Sequence, residues 1–426
     1  MTIASCTIPY GADKTIEFTL PQANLMGIYS PHDVPPVPDV QAEIARALAH
    51  PIGSPQLAEL AAGKQNVVLV ADDNTRLTPT DIIIPQLLNA LNAAGVPDSK
   101  ITVVIALGTH RFMTDEEILV KFGSETVRRV AIKNHPYKDP GSLVDLGATA
   151  NGTTIAINKD VVEADFKIGI GSIVPHHIPG YAGGAKIVQP GVSGEITTAE
   201  THLLSVREKR SYVGILDNPV RRELNSIARK VGLNTIFNTV LNRHGEVVAA
   251  FFGDVEAAFL AGAAKSQEVY AVNLPAEADI VLASSHPCDL EFWQAHKTLY
   301  PAERAVRQDG IIIAVTPCYE GVAVTHAEMV EYAGKPPAEV KKMLEAGQID
   351  DPVAAALAIA WGQVRDRATV YFVSHGVSAE EARKLGFVPY ATVQEALDAA
   401  LAAVGPAAQV AVLTHAPDML PVIQQG

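Results

Sequence analysis

Short runs of aliphatic residues recur along this chain at strand length, each followed by a stretch with helical spacing. The runs at 66–71, 101–107 and 166–170, and again at 279–283, 311–315, 369–374 and 409–413, are continuously apolar rather than alternating. A strand wet on one face alternates, so a run without polar positions belongs to a strand covered on both faces. Parallel strands joined by helices meet that condition. Two helix starts are readable, because Thr114-Asp-Glu-Glu117 and Thr392-Val-Gln-Glu395 have capping-box form. The fold class expected is α/β: two domains with mostly parallel sheets flanked by helices, and an active site in the cleft between them.

With 426 residues, two domains are the natural division at ~100–200 residues each. Residues 15–20 alternate like a strand, and 31–39 form a proline-rich connector. A β-hairpin is predicted over 234–252, then a helix at 255–266. A fresh strand begins near 280, which sets the boundary near 272. The predicted domains are 1–272, bearing the cofactor and catalytic residues, and 273–415, Rossmann-like. A proline-broken tail, 416–426, could pack on either.

Charge narrows the partners. Lys and Arg number 33 against 47 Asp and Glu, a net charge of −14. Such a chain is poorly suited to nucleic acid or to an anionic membrane surface. The apolar runs are too short to span a bilayer, and the first residues lack the pattern of a secretory signal. Cys6, Cys288 and Cys318 form no CxxC pair and no zinc spacing, which fits a reducing compartment. The expectation is a cytoplasmic protein.

In parallel α/β folds ligands bind beyond the C-terminal ends of strands. Polar clusters stand at those places. Asp73-Asn-Thr75-Arg76 follows the first run, Gly108-Thr-His110 the second, and Pro175-His176-His177 through Lys186 the third; Trp293-Gln294 and Lys297 come after the fourth. Each has a plainer reading. Asp73 or Thr75 could cap a helix, His110 could be a hydrogen-bonded bystander, Trp293 core, and Lys297 a solvated helix residue. Gly169-Ile-Gly171 hints at a dinucleotide turn but lacks the third glycine. The loop 171–191 is harder to dismiss, because glycines and prolines there enclose two histidines and a lysine.

Taken together, Asp73-x-Thr-Arg76, Gly108-Thr-His110, Pro175-His176-x₃-Gly180-x₂-Gly-Gly184-x-Lys186, His202 and Gln294-x₂-Lys297 resemble the lactate racemase family, through essentially the whole chain. The resemblance implies a nickel-pincer nucleotide joined covalently to Lys186, with His202 as protein ligand to nickel. It implies His110 and His176 as the acid–base pair. Arg76 and Lys297 would face the anions of substrate and cofactor, and Asp73, Thr75 and Gln294 would line the cofactor site. Trp293 stands where the lactate racemase used for comparison has tyrosine, which points to a substrate other than lactate.

The implied chemistry suits these side chains. A histidine of pKa ~6.5 cannot remove the barely acidic α-hydrogen of a 2-hydroxy acid as a proton. Removal as hydride is feasible if a histidine takes the hydroxyl proton at the same time. Two histidines, one for each enantiomer, satisfy the near-mirror symmetry of a racemase. Arginine suits a bidentate carboxylate, and imidazole suits nickel. The function expected is racemisation or epimerisation of a lactate-like or larger 2-hydroxy acid. Cofactor-synthesis enzymes are the expected partners, and a homodimer is an open alternative. The rival readings are a nicotinamide-dependent dehydrogenase and a non-catalytic binding protein on the same fold.

Overall fold

The computed structural model describes residues 2–424. Two six-stranded sheets organise the chain into two lobes. In the first sheet the strand order is Val247–Gly253, Thr235–Leu241, Phe166–Ser172, Val67–Asp72, Ile101–Ala106, Ala131–Asn134. Only the hairpin of 235–241 and 247–253 is antiparallel. In the second the order is Val388–Tyr390, Ala368–Val373, Val306–Val315, Ala278–Ser284, Val410–Leu413, Leu25–Tyr29, with every pair parallel. The continuous apolar runs fall on these strands, and Val67–Asp72 is buried at every position. Thr114 closes the predicted capping box with Glu117. At Thr392 only the bond from Glu395 N to the side chain forms.

Each sheet has one place where the direction of winding reverses. In the first it lies between Val67–Asp72 and Phe166–Ser172, and in the second between Ala278–Ser284 and Val410–Leu413. Loops leaving two such strands diverge to opposite faces and open a crevice at the carboxyl end of the sheet. The chain places Asp73–Arg76 and the 173–186 loop at the first crevice, and His286 and His415 at the second.

The start of the chain departs from the predicted division. Leu25–Tyr29 pairs with Val410–Leu413, so it extends the second sheet rather than the first. The preceding hairpin, Ile3–Pro9 with Thr15–Pro21, buries Cys6, Ile8, Phe18 and Leu20 against Ile280, Leu282, Ile311 and Ile313 of that sheet. A contiguous first domain over 1–272 is therefore corrected at its amino end: periodicity shows that a segment is a strand, not which sheet it joins. The tail strand Leu420–Ile423 pairs with Ala271–Leu274, at the crossing between lobes.

The lobes also share a core. The helix Pro352–Arg365 is buried along almost its whole length and packs on Glu195–Ser205 of the first lobe. Its Trp361 is fully enclosed, and truncation to alanine would cost about 3–5 kcal/mol. Among the described residues no helix is long and apolar enough to cross a membrane. All three cysteines are free.

Candidate active site

Asp73 sets the first loop. It does not cap the next helix, whose N-cap is Pro79. Its Oδ1 accepts from Thr75 N at 3.1 Å and Thr75 Oγ1 at 2.5 Å, and its carbonyl accepts from Arg76 N at 3.2 Å. The side chain thus tightens a turn that leaves Oδ2 free for His110. Arg76 is steadied by Nη1 donating to Thr75 O and Oγ1.

The second loop doubles back through a two-residue bridge, Pro175–His176 against Gly180–Tyr181. Gly180 has φ +84°, and a Cβ there would lie 2.0 Å from Ile215 O. Gly183 has φ +80°, and its Cβ would lie 2.6 Å from Ile173 Cγ1. Neither position tolerates a side chain. Gly184 N donates to Asn238 Oδ1 at 2.9 Å, and the turn Gly184–Ile187 carries Lys186 inward. Gly169 serves the same packing, since a Cβ would lie 2.5 Å from Ile187 Cγ2. It is a seat for the lysine turn.

A cavity of ≈1010 Å³, partly open to solvent, is lined from both lobes. It collects Asp73, Arg76, His110, His176, Lys186, His202, Trp293, Gln294 and Lys297. Thr75 lines an adjoining cavity instead. Across the gap runs one directional chain: Lys297 Nζ donates to Gln294 Oε1, Gln294 Nε2 to His110 Nε2 at 2.8 Å, and His110 Nδ1 to Asp73 Oδ2 at 2.6 Å. An ionised carboxylate only accepts, so neutral His110 carries its proton on Nδ1 and turns its Nε2 lone pair to the cavity. Burial opposes ionisation of Asp73, yet the His110 ring, Arg76 and Thr75 hold its carboxyl well below the usual range.

His176 is held differently. Its Nδ1 accepts from Ile178 N at 3.2 Å, so the neutral ring carries its proton on Nε2. Burial, then Lys186, His177, Lys297 and Arg76, push its pKa well below the ordinary value. Lys186 is also depressed, by burial first and then by Arg76, Lys297 and Arg221. A buried amine without its proton is a nucleophile. His202 has its Nδ1 2.8 Å from Thr198 O, which leaves Nε2 unshared; burial and Lys186 lower its pKa to about 3. Lys297 is lowered to about 8, by burial and then Arg76.

Trp293 lines the cavity but is only 4% exposed, and it stacks on His326 with ring centroids 3.8 Å apart. Sequence reasoning missed Arg221. This buried guanidinium donates to the carbonyls of Pro179, Tyr181 and Gly183, and so pins the loop that bears His176 and Lys186. In the sequence it is one arginine of a strongly amphipathic helix, Pro219–Val231, and nothing local marks it. His177, one of the two histidines noted in that loop, had no role assigned to it. It lies stacked between His176 and Tyr300, with both ring nitrogens buried and unpartnered.

Fold and site together define a two-lobed α/β protein with a cation-rich pocket holding two unlike histidines and a buried lysine whose pKa is depressed. Comparison with known proteins narrows this. Residues 10–214 match the family described as Lactate racemase N-terminal domain, and 273–423 match Lactate racemase C-terminal domain. The lactate racemase of Lactiplantibacillus plantarum is 32% identical over 393 residues, 90% of each chain. That of Thermoanaerobacterium thermosaccharolyticum is 32% identical over 325 residues, 75% of this chain and 76% of its own. The solved apoprotein of the latter superposes with a TM-score of 0.88 at 28% identity, covering 98% of this chain and 100% of that one. A Thermotoga maritima protein shares the fold, with a TM-score of 0.71 at 21% identity over 88% of this chain and 100% of its own. The chain belongs to the lactate racemase family, a family of isomerases.

Proposed function

We propose that this protein is a cytoplasmic racemase or epimerase of 2-hydroxy acids, lactate-like or larger, that works with a nickel-pincer nucleotide tethered to Lys186. One observation carries the reading: a single cavity holds Lys186 with its pKa depressed by burial, the free Nε2 of His202, and two histidines, and is also lined by Arg76 and Lys297. The residues fit the cofactor. Lys186 Nζ has no hydrogen-bond partner among the described residues and is set up for a covalent link. His202 presents Nε2 while its Nδ1 is committed to a carbonyl, the usual posture of a metal-binding imidazole. Among the described residues no three His, Cys, Asp or Glu side chains form a metal cage, which suits a metal whose remaining donors arrive with the nucleotide.

When bound, the cofactor supplies the acceptor that takes the α-hydrogen as hydride and returns it to either face. The protein's part is binding and proton management. Arg76 offers its unbonded Nη2 and Nε, with Lys297, to the substrate carboxylate. His110 Nε2 takes the hydroxyl proton once Gln294 yields its place, and ionised Asp73 stabilises the imidazolium. His176 presents Nε2–H as a hydrogen-bond donor to the hydroxyl oxygen; to take the hydroxyl proton of the opposite enantiomer at Nε2 it first shifts its ring proton to Nδ1 and releases Ile178 N.

The test is a chiral assay of holoprotein with a single enantiomer, together with intact-protein mass. The mass should exceed that of the chain by the cofactor, and Lys186→Ala should abolish both the increment and the exchange. An increment that survives in Lys186→Ala would sink the tether. His202→Ala should lose nickel while keeping its fold.

A further inference from the structure

Beside the catalytic cavity lies a second one of ≈710 Å³, partly open to solvent. The two share Arg76, Ser172, His176 and Lys297. It sits at the second sheet's crevice, where Pro287 and Cys288 follow one strand and His415, Pro417 and Asp418 follow the other. Lys186 and His202 line only the first cavity, so on the reading above the tethered cofactor is committed there. The second cavity is left to the part of the substrate that points away from the reacting carbon.

Its polar groups say what that part is. The Asp418 carboxylate makes no ion pair or hydrogen bond among the described residues. Burial pushes its pKa up to about 6 although Arg76 and Lys297 oppose this, and its oxygens stay free to accept from a ligand. His415 commits Nδ1 to Thr414 Oγ1 at 2.8 Å, and its Nε2 has no partner. Thr75 and Arg76 border the same space, whose remaining walls include Leu77, Leu241 and Tyr270.

Three kinds of side chain can be weighed. A hydrocarbon or aryl group would strip water from the half-buried Asp418 carboxylate and offer it no donor, which is costly. A second carboxylate would meet Asp418 as a like charge, and Arg243, among the described residues the one cation that this cavity does not share with the first, is already paired with Asp33 at 3.4 Å. Hydroxyl groups donate to Asp418 and exchange hydrogen bonds with His415 Nε2, while their carbons lie on the apolar wall. The geometry points to a polyhydroxylated 2-hydroxy acid, of the aldonic-acid type, as the preferred substrate, with Asp418 and His415 binding its distal hydroxyls. Trp293 does not line this cavity, so selectivity lies at the second crevice and not at the indole.

The inference rests on the racemase reading, and the experiment separates the two. Holoprotein is assayed for configurational exchange at C2 with lactate, malate, 3-phenyllactate and a five-carbon aldonic acid. The aldonic acid should exceed the other three in kcat/KM by ten-fold or more. Asp418→Ala should lower the aldonate-to-lactate ratio at least ten-fold, and His415→Phe should lower it in the same direction. Should either variant fail to fold, the other carries the test, and wild-type ranking stands independently. Malate or phenyllactate ranking first, or a ratio unmoved by both variants, would overturn the hydroxyl site while leaving the racemase reading intact. No exchange of any of the four acids by cofactor-loaded protein would overturn both.

Discussion

His110 and His176 face one cavity, but the protein holds them by opposite edges. His110 is backed by a carboxylate on Nδ1 and presents a lone pair; His176 is backed by a backbone N–H and presents a proton. The first is ready to accept a proton; the second is ready to donate a hydrogen bond and must change tautomer before it can act as a base. For a substrate with a single stereocentre, such as lactate, the equilibrium constant is one, so kcat/KM must be equal in the two directions however unlike the bases are. The asymmetry can appear only in how kcat and KM are divided between enantiomers. Near-symmetry of the reaction therefore does not require symmetry of the site.

The largest effect should come from deleting either histidine. His110→Ala and His176→Ala should each lower racemisation by ~10²–10⁴-fold in both directions. Chiral chromatography of progress curves from each enantiomer measures this. A wild-type-like rate in either variant would reduce the pair to one working base.

Asp73→Asn tests the backing of His110 while leaving an amide oxygen to accept from Thr75. It removes the anion that fixes the tautomer, and should cost about 10²-fold in kcat with little change in KM. Combined with His110→Ala it should add almost nothing, because Asp73 acts through that ring. Combined with His176→Ala it should add nearly its full cost. A purely structural role would lower the melting temperature equally in all backgrounds without this pattern.

The same contrast extends to stability. Burial holds His176, His177 and His296 well below their ordinary pKa and His202 at about 3. In the unfolded chain these rings protonate near ~6.5. Below that pH the unfolded state binds more protons, so their contribution is complete above ~6.5 and falls as pH drops, by ~1.4 kcal/mol per pH unit for each ring. Glu303, raised to about 7 by burial, and Asp418 pull the other way over part of the range. Urea unfolding at pH 7 and pH 5 should show net loss in acid. His177→Phe keeps the stack on Tyr300 and should weaken that dependence by about one ring's worth. An unchanged slope would mean that His177 is hydrated.

Much of this was legible in the sequence, and the reason is local. Strands covered on both faces announce themselves as continuous runs, and loops at their carboxyl ends are where polar residues stand out. Asp73, His110, His176, Lys186 and Gln294 could be picked out because each follows such a run or lies in a glycine-rich loop. Arg221 and Asp418 could not, because their roles depend on which distant backbone or cavity they meet. The place of Leu25–Tyr29 in the second sheet was hidden for the same reason: pairing is a property of the assembled sheet.

Gln294 should give the smallest effect, and it bears on the His110 side only. Its amide spans the lobes, with Nε2 donating to His110 and Oε1 accepting from Lys297. Without substrate it occupies the lone pair that His110 needs, so its removal frees the base. It also orders Lys297, so its removal loosens one cation of the carboxylate grip. These consequences oppose each other in kcat/KM. One hydrogen bond of net ~1 kcal/mol corresponds to about five-fold, and the sum should stay within ten-fold. The split is the informative part: Gln294→Ala should raise KM while kcat holds or rises, whereas Asp73→Asn lowers kcat with KM nearly constant. Gln294→Glu would instead place an acceptor against the His110 lone pair and repel it, and should fall below Gln294→Ala in kcat. Equal loss of kcat in Gln294→Ala and Asp73→Asn would mean that Gln294 orients the base rather than shielding it.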